Sequence, residues 1–322
     1  MNEKPVPGSI DAVARLLRAA GHRQLPPEAL TQRVYARTRD RWLQQRQPRS
    51  RWQLALAAGV LLAVGVGSIA LLRDRALVLA TSETVQGDAA LLTGGQRELL
   101  AAGTELRAGD QIATEARSAV VLRERTGIAI RLAPDSVVQW RQGMRLRILR
   151  GQAYVDLESA SVPDSDLVLE TDFGNIHHLG TRYLASVSDT GLVVGVRDGR
   201  VVVEHRIGRF EVARGERLSI DRRGDIVRSR LPTHGDFWAW ADGLAPPVAI
   251  EGRSLHEILT QLARQTGLEL RFSSAEVEQA ARRLKLHGPA LALTPVDAIA
   301  AVLSTTSMHA SVDGDSLVVQ SK

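Results

Sequence analysis

Residues 181–204 read TRYLASVSDTGLVVGVRDGRVVVE, and they decide the fold of the middle of the chain. Runs rich in Val and Leu alternate here with turn residues, and no helical periodicity is present. Segments 181–187, 192–196 and 201–204 are each predicted as a strand. The pair Asp198-Gly199 predicts a tight hairpin between the last two. The stretch therefore indicates antiparallel β structure.

Similar segments flank this stretch on both sides. Pro, Gly and Asp residues separate them at spacings typical of sandwiches and barrels. We predict an all-β domain over residues 86–232, which is a sandwich, a barrel or a solenoid-like fold, because periodicity alone does not choose among them. Aromatic residues make up only 4% of the chain, so the core is expected to consist of Val, Leu, Ile and Ala. The further predicted strands are 128–132, 146–149, 153–157, 167–171 and 218–220.

Residues 52–72 read WQLALAAGVLLAVGVGSIALL and carry no charge. A helix of this length extends over about 31 Å, which matches the hydrocarbon thickness of a bilayer. We therefore predict a single transmembrane helix bounded by Trp52 and Leu72, followed by a linker over 73–85. A cleavable signal would have a shorter N-terminal region and a shorter apolar core. A buried helix of a soluble protein would keep polar residues on one face.

Positive charge is concentrated before this segment. Residues 1–51 hold 11 Lys and Arg against four acids, whereas the rest of the chain holds 30 against 32. The 19 residues before the predicted span contain seven Arg, and the 20 after it contain two. By the positive-inside rule we expect a bacterial inner-membrane protein with a cytoplasmic N-terminus and periplasmic C-terminal domains. The large C-terminal part shows no basic excess for binding nucleic acid.

Small residues recur every four positions within the predicted span, along one face of the helix. Such a stripe permits close helix pairing in lipid, and it predicts a homodimer; the alternative is that Ala and Gly are simply common in membrane helices. The stripe consists of Ala55, Gly59, Ala63 and Gly67.

Residues 1–51 contain two short helical patterns, at 9–20 and 28–45. So short a segment buries little apolar surface and is not expected to fold independently. It fits an adapter that folds on a cytosolic partner or a basic segment that lies on anionic lipid. A third interpretation is that its arginines only fix the topology.

Residues 246–322 follow a connector over 233–245 and read as a small α+β domain. Ser254 and Glu257 form a predicted capping box for a helix that ends at Gly267. Thr294-Pro295 begins a second helix. The order is β-α-β followed by β-α-β-β, a twofold pseudo-repeat similar to the STN domain of secretins and signalling TonB-dependent transporters. The strands are predicted at 248–250, 268–272, 284–287, 309–312 and 317–319.

No catalytic motif is present, and we expect neither an enzyme nor a cofactor. The absence of cysteine excludes disulfides and Cys-ligated metals. His177 and His178 are adjacent on a predicted strand and point to opposite faces, so they do not share a metal ion. Asp164 and Asp166 are expected in a solvated turn. Two tryptophans of the connector, Trp238 and Trp240, are expected to pack the two C-terminal domains together.

Several short blocks in the predicted β domain occur in a fixed order. The most specific is 179–183, LGTRY, whose signature positions are Leu179, Gly180, Thr181 and Tyr183. Together the blocks closely resemble the FecR family of bacterial inner-membrane regulators, over about residues 85–322. The other blocks are 151–155, 194–201, 213–218 and 250–255.

The resemblance implies a signal transducer that regulates a sigma factor. Its periplasmic part would sense the signalling domain of an outer-membrane TonB-dependent transporter, as in iron transport regulation. Its cytoplasmic segment would control an extracytoplasmic-function sigma factor as anti-sigma factor or activator. The N-terminal segment is short for that role and lacks the tryptophan-containing helices expected of the family. The alternative is a structural envelope adapter that docks on a secretin or another assembly without transcriptional output.

Overall fold

The computed structural model describes residues 77–157 and 167–322, with four isolated helical positions before them, Arg18, Ala19, Glu28 and Gln32. The chain divides into two compact units, Met1–Arg75 and Ala76–Lys322. Among the described residues, no helix has both the length and the apolarity needed to cross a membrane. Several predictions lie outside the described residues: the span from Trp52 to Leu72, its pairing face Ala55, Gly59, Ala63 and Gly67, and the turn with Asp164 and Asp166.

Within the described residues, fifteen strands form the β domain of the second unit. Some of them, such as Gln111–Thr114 and Val137–Arg141, alternate more and less buried residues with the period of two of a sheet that has one buried face, whereas Ala129–Leu132 is buried throughout. The strands are β1 (Val78–Gln86), β2 (Ala89–Thr93), β3 (Gln96–Leu99), β4 (Glu105–Arg107), β5 (Gln111–Thr114), β6 (Ala119–Glu124), β7 (Ala129–Leu132), β8 (Val137–Arg141), β9 (Arg145–Asp156), β10 (Val168–Thr171), β11 (Gly174–Ser188), β12 (Gly191–His205), β13 (Gly208–Ala213), β14 (Glu216–Asp221) and β15 (Ile226–Arg230).

Three long strands, β9, β11 and β12, pass from one sheet into a second one. The first sheet has the order β15-β14-β12-β11-β9-β7-β6-β1-β4. The second has the order β13-β12-β11-β10-β9-β8-β5-β2-β3. One half of each long strand pairs in each sheet. The predicted all-β class is confirmed. All fifteen described strands belong to one hydrogen-bonded network, which folds as two facing sheets because the long strands continue from one sheet into the other.

The long strands change sheets at a line of glycines, which we call the glycine corner: Gly151, Gly180 and Gly199. All three have positive φ, at 90°, 66° and 72°. A Cβ on Gly199 would lie 2.6 Å from the carbonyl oxygen of Gly180, so the neighbouring strands leave no room for a side chain there. The predicted hairpin at Asp198-Gly199 is wrong, because β12 continues through this pair. A positive φ suits a strand bend as well as a type I′ turn, and local sequence does not distinguish them.

The core lies between the two sheets and consists mainly of Leu, Val and Ile, as the composition predicts. Trp140 and Tyr183 are its largest aromatic members and are fully buried. Each fully buried aliphatic side chain contributes about 1.5–3 kcal/mol relative to exposure, so this core dominates the stability of the domain.

Part of the predicted linker, residues 73–85, is a strand, β1. It begins at Val78, inside the segment 73–85, and pairs with β4 and β6. Its polar residues Ser82, Glu83 and Thr84 conceal its strand character, because only part of one face is buried. The sequence pattern likewise predicts no strand between residues 86 and 127, where β2 to β6 lie.

The C-terminal domain, residues 246–322, has a three-stranded sheet and three helices, preceded by a one-turn helix in the connector. Its sheet has the order β16-β18-β17, with β16 parallel and β17 antiparallel to β18. The elements are α1 (Ala239–Asp242) in the connector, then α2 (Leu255–Thr266), β16 (Glu269–Phe272), α3 (Ala275–Arg283), α4 (Pro295–Ser304), β17 (Met308–Asp313) and β18 (Ser316–Ser321).

The predicted α+β character of this domain is confirmed, and its strand count is corrected. The capping box of Ser254 and Glu257 is present, and Gly267 ends α2 with a φ of 77°. The predicted strands 248–250 and 284–287 form only isolated bridges, Val248 to Leu291 and Ser254 to Lys285. Helix α3 was not predicted, because Ala281 is its one fully buried residue among mostly polar neighbours. The regular pseudo-repeat of strands is therefore absent.

Candidate functional site

The candidate site is the junction between the β domain and the C-terminal domain. The connector packs its Trp238 against the outer face of the first sheet, where Trp238 is fully buried with Tyr154 and Leu184. Its indole Nε1 donates to the carbonyl of Pro232 at 2.8 Å, and its ring lies edge-on to Tyr154. Trp238 and the partly exposed Trp240 therefore pack the connector on the β domain. That they pack the two C-terminal domains together stays a prediction.

A buried arginine lies at the centre of the junction. The Arg197 side chain is fully buried, and its guanidinium forms a bidentate ion pair with Asp242 at 2.6 and 2.9 Å. Its Nε donates to the carbonyl of Thr233 at 2.8 Å, and its guanidinium lies 4.8 Å from the Trp238 ring centroid. Burial by itself would lower the pKa of Arg197, but the hydrogen bond to Asp242 and nearby charges outweigh it, so the pKa is raised. The guanidinium stays charged and holds the connector to β12.

A second buried arginine binds the same end of α1. Arg131 on β7 donates to the carbonyl of Ala241 at 2.8 Å and pairs with Asp156 at 3.1 Å. Its guanidinium lies 5.0 Å from the ring centroid of Tyr154. Burial, and to a lesser degree the charge of Asp156, raises the pKa of the Tyr154 phenol against the opposing effect of the arginines. Tyr154 therefore remains a neutral ring between two cations.

Three arginines of the β domain bind the carboxyl end of helix α2, and we call Arg182, Arg197 and Arg214 the arginine clamp. The last carbonyls of a helix lack partners within the helix and carry the negative end of its dipole, which favours cations there. Arg182 Nη1 donates to the carbonyl of Arg264. Arg197 Nη1 donates to that of Gln265 at 2.9 Å, and Arg214 Nη2 to that of Gly267 at 3.5 Å.

Each arginine of the clamp also has a carboxylate partner. Arg182 pairs with Asp198 at 3.0 Å, Arg197 with Asp242, and Arg214 with Glu269 at 3.1 Å. The helix end approaches both the connector and the β domain closely, since a Cβ on Gly267 would lie 2.3 Å from the carbonyl oxygen of Thr233 and 2.9 Å from the side chain of Arg197. The glycine that ends α2 thus also lets the two domains come together.

The signature positions lie at the glycine corner, beside the clamp. Gly180 provides the bend, and Thr181 fixes it, because its Oγ1 donates to the carbonyl of Arg200 at 2.6 Å and accepts from the amide of Leu179. Tyr183 is fully buried in the core, where burial raises the pKa of its phenol. The Leu179 side chain is 59% exposed, so it contributes little to the core. The signature therefore shapes the backbone that presents Arg182.

The histidine pair shows no metal-binding arrangement. His177 contacts Glu204 at 3.3 Å, whereas His178 is buried, and burial followed by the charge of His177 lowers the pKa of His178. Within residues 77–157 and 167–322, no three His, Cys, Asp or Glu side chains group in a way that could hold a metal ion.

All three clamp arginines lie in the sequence blocks that resemble the FecR family, but the sequence alone predicts no role for them. It also predicts no role for Arg131 and Asp242. A usable signal existed for Arg131 and Arg197, since each interrupts a run of apolar residues in a strand. An arginine at such a position is buried only when a partner lies opposite. Asp156, the carboxylate partner of Arg131, lies on the strand β9. The groups of residues 231–267 that Arg131 and Arg197 also bind are connected to the strands by no local pattern.

A cleft of about 1320 Å³ opens beside the junction. Its one wall is the polar side of α2, with Thr260, Gln261 and Arg264, and its other wall is the outer face of β1, β6 and β7. Arg131 and Arg182 lie at the base, between the two walls. The cleft is thus a polar groove between domains that the junction already fixes.

Comparison with known proteins identifies part of the β domain. A family model described as FecR protein matches residues 110–202, from the start of β5 into β12, so the predicted resemblance is confirmed over that range. The match includes the glycine corner and the clamp residues Arg182 and Arg197. Residues 203–322, including the predicted STN-like domain, lie outside it. No curated protein matches the chain.

Solved structures give weaker likenesses. Two crystal structures of a protein proposed to be an anti-sigma factor from Parabacteroides distasonis ATCC 8503, at 2.50 and 1.65 Å resolution, are 14% identical to this chain. They cover 66% of this chain and 98% and 99% of their own, with a TM-score of 0.35. A cell surface anchoring domain is 18% identical over 20% of this chain and 87% of its own, with a TM-score of 0.20. At these TM-scores the likenesses carry no argument about this chain.

Proposed function

We propose, from the premise that residues 110–202 form a FecR domain, that this chain regulates a sigma factor in response to a signal on the far side of a membrane. The family match is the observation that carries the proposal. It covers the corner and two of the three clamp arginines, which join the β domain to the C-terminal domain. In this proposal the FecR domain relays the signal and takes part in no catalytic step.

The membrane topology predicted from the sequence supports the same proposal. The uncharged stretch from Trp52 to Leu72 would anchor the chain in the bacterial inner membrane, and the seven arginines before it would keep the N-terminus in the cytoplasm. Residues 77–322 would then fold in the periplasm. Pairing along Ala55, Gly59, Ala63 and Gly67 would make the anchor a homodimer.

One proposed partner would lie on each side of that membrane. Residues 1–51 would bind an extracytoplasmic-function sigma factor, and their net positive charge suits an acidic surface on it. The C-terminal domain would take the role of an STN-like domain and receive the signalling domain of a TonB-dependent transporter. Its small sheet ends in the edge strands β16 and β17, and either one would offer its free edge to a strand of the partner.

Site-specific photo-crosslinking of the full chain in living cells tests the proposal. A photoreactive residue replaces Gln32 in one variant and Glu98, an exposed residue of β3, in the matched control. We expect a sigma factor to crosslink to the Gln32 variant and not to the Glu98 variant. Capture of no sigma factor at Gln32, or at further positions within residues 28–45, would contradict the proposal and favour an envelope adapter without transcriptional output.

A further inference from the structure

The cleft beside the junction carries more positive charge than its own carboxylates neutralise. Among the described residues, six arginines line it, against three acids, Glu83, Asp156 and Glu257. The six arginines are Arg123, Arg131, Arg182, Arg253, Arg264 and Arg282. A groove with one predominant sign of charge between protein walls concentrates ligands of the opposite sign.

Four of these arginines already have a carboxylate partner. Arg123 pairs with Glu83 at 2.9 Å, and Arg131 with Asp156 at 3.1 Å. The other two use acids that lie outside the cleft, since Arg182 pairs with Asp198 and Arg282 with Glu278. Their charges are locally balanced, so they do not account for the excess.

Arg253 and Arg264 are different. Both are half-buried on the α2 wall, and within the described residues neither lies within 4.0 Å of a carboxylate. Arg253 donates to the carbonyl of Ala249 and to the side-chain oxygen of Gln261, at 3.0 and 2.7 Å. Arg264 makes one long hydrogen bond, 3.4 Å, to the carbonyl of Leu157. Each guanidinium is thus bound only to neutral oxygens and keeps unused donors.

The remaining carboxylate of this wall does not neutralise them. Glu257 is engaged mainly by Ser254, whose hydroxyl and amide lie 2.6 and 2.7 Å from its Oε2. These hydrogen bonds are the largest cause that lowers the pKa of Glu257, and the charges of Lys285 and Arg253 contribute less. The capping box therefore holds the acid at the start of α2.

We propose that this cleft binds an extended acidic segment of a partner protein, whose carboxylates pair with Arg253 and Arg264. Carboxylates complement guanidinium groups through short, charge-assisted hydrogen bonds. The volume, about 1320 Å³, exceeds the range of about 300–1,000 Å³ that is usual for small-molecule pockets, and it suits a stretch of polypeptide. This inference rests on the proposed function in one respect only, which is that the partner lies on the periplasmic side of the membrane.

Fluorescence anisotropy on the purified full chain in detergent tests this inference. The probe is a labelled decapeptide of alternating Glu and Ser with blocked ends, and the matched peptide carries Gln in place of Glu. We expect saturable binding of the Glu peptide that weakens as salt rises, and no binding of the Gln peptide. Arg253→Gln and Arg264→Gln should each weaken binding about tenfold, the effect of losing one hydrogen bond to a charged group.

The control variant is Arg222→Gln, an exposed arginine in the turn after β14 and outside the cleft. It should bind as the unchanged chain does, and thermal unfolding should show that all three variants fold. Absence of binding, or an equal loss in Arg222→Gln, would overturn the inference. Equal affinity for inorganic tripolyphosphate would also overturn it, because the cleft would then be a general phosphate site. These outcomes leave the crosslinking result at Gln32 unaffected, so the two proposals fail separately.

Discussion

The β domain and the C-terminal domain complete their backbone hydrogen bonding in different ways. The β domain does so internally, since β9, β11 and β12 each pair in both sheets and the core lies between them. The C-terminal domain leaves the carboxyl end of α2 to the arginine clamp of its neighbour. The position of the second domain therefore depends on charges placed by the first.

Removing the central anion of the junction should have the largest effect. Asp242→Ala leaves the buried Arg197 guanidinium without its partner, and we expect the free energy of unfolding to fall by about 3–5 kcal/mol. Urea unfolding of the full chain in detergent measures it. Glu211→Ala, which removes the partner of the exposed Arg200, is the matched control and should change stability by less than about 1 kcal/mol. Equal losses would show that the buried pair does not hold the junction.

The glycine corner is tested by a pair of alanine substitutions. Gly199→Ala and Gly94→Ala both place a side chain at positive φ, 72° and 57°, but only the first meets a neighbouring strand. We expect Gly94→Ala to cost about 1 kcal/mol and Gly199→Ala about 1–3 kcal/mol more, because the corner must shift. The same urea titrations compare them. If the two variants lose the same stability, close approach at the corner is not what requires glycine.

A peripheral member of the clamp should have a smaller and more local effect. Arg214→Gln removes a cation from the end of α2 and the pair with Glu269, and we expect a loss of about 0.5–1.5 kcal/mol. Hydrogen exchange should show faster exchange in the last turn of α2 and unchanged exchange in β9. The control is Arg209→Gln, which loses an exposed pair with Glu204. Faster exchange in α2 of that control would contradict a local effect.

The smallest effect concerns pH. Burial lowers the pKa of His178, so the unfolded chain binds a proton more readily than the folded one. This contribution to stability is complete above the unfolded pKa, about 6.5, and is lost as the pH falls towards the folded value. Stability should therefore decrease from pH 7 to pH 5, and His178→Gln should reduce that slope. The exposed His309→Gln should leave it unchanged; an unchanged slope in His178→Gln would refute the assignment.

Much of the fold was predictable where local pattern and burial agree. Short apolar runs between turn residues identified β10, β14 and β18, and the Ser254 capping box identified the start of α2. The pattern failed where a strand has little buried surface, as in β1 and β3, or where a glycine bends a strand without ending it, as in β12. Both failures come from tertiary pairing, which sequence periodicity does not record.

The site was harder to predict from the sequence than the fold. Arg182 and Arg197 are visible as unusual residues in apolar strands, but Asp242, the partner of Arg197, lies 45 positions away, and the helix carbonyl that Arg182 binds lies 82 positions away. A single sequence gives no signal that joins such distant positions. The charge asymmetry around residues 52–72, in contrast, is local and can be read directly from the sequence.

The central claim is that a membrane separates residues 1–51 from residues 77–322. Since the chain has no cysteine, Ser9→Cys and Ser311→Cys each provide one unique thiol. A membrane-impermeant maleimide added to intact spheroplasts should label the Ser311→Cys variant and should label Ser9→Cys only after lysis. Labelling of both variants before lysis, or of Ser9→Cys alone, would contradict the claim and with it the proposed direction of signalling.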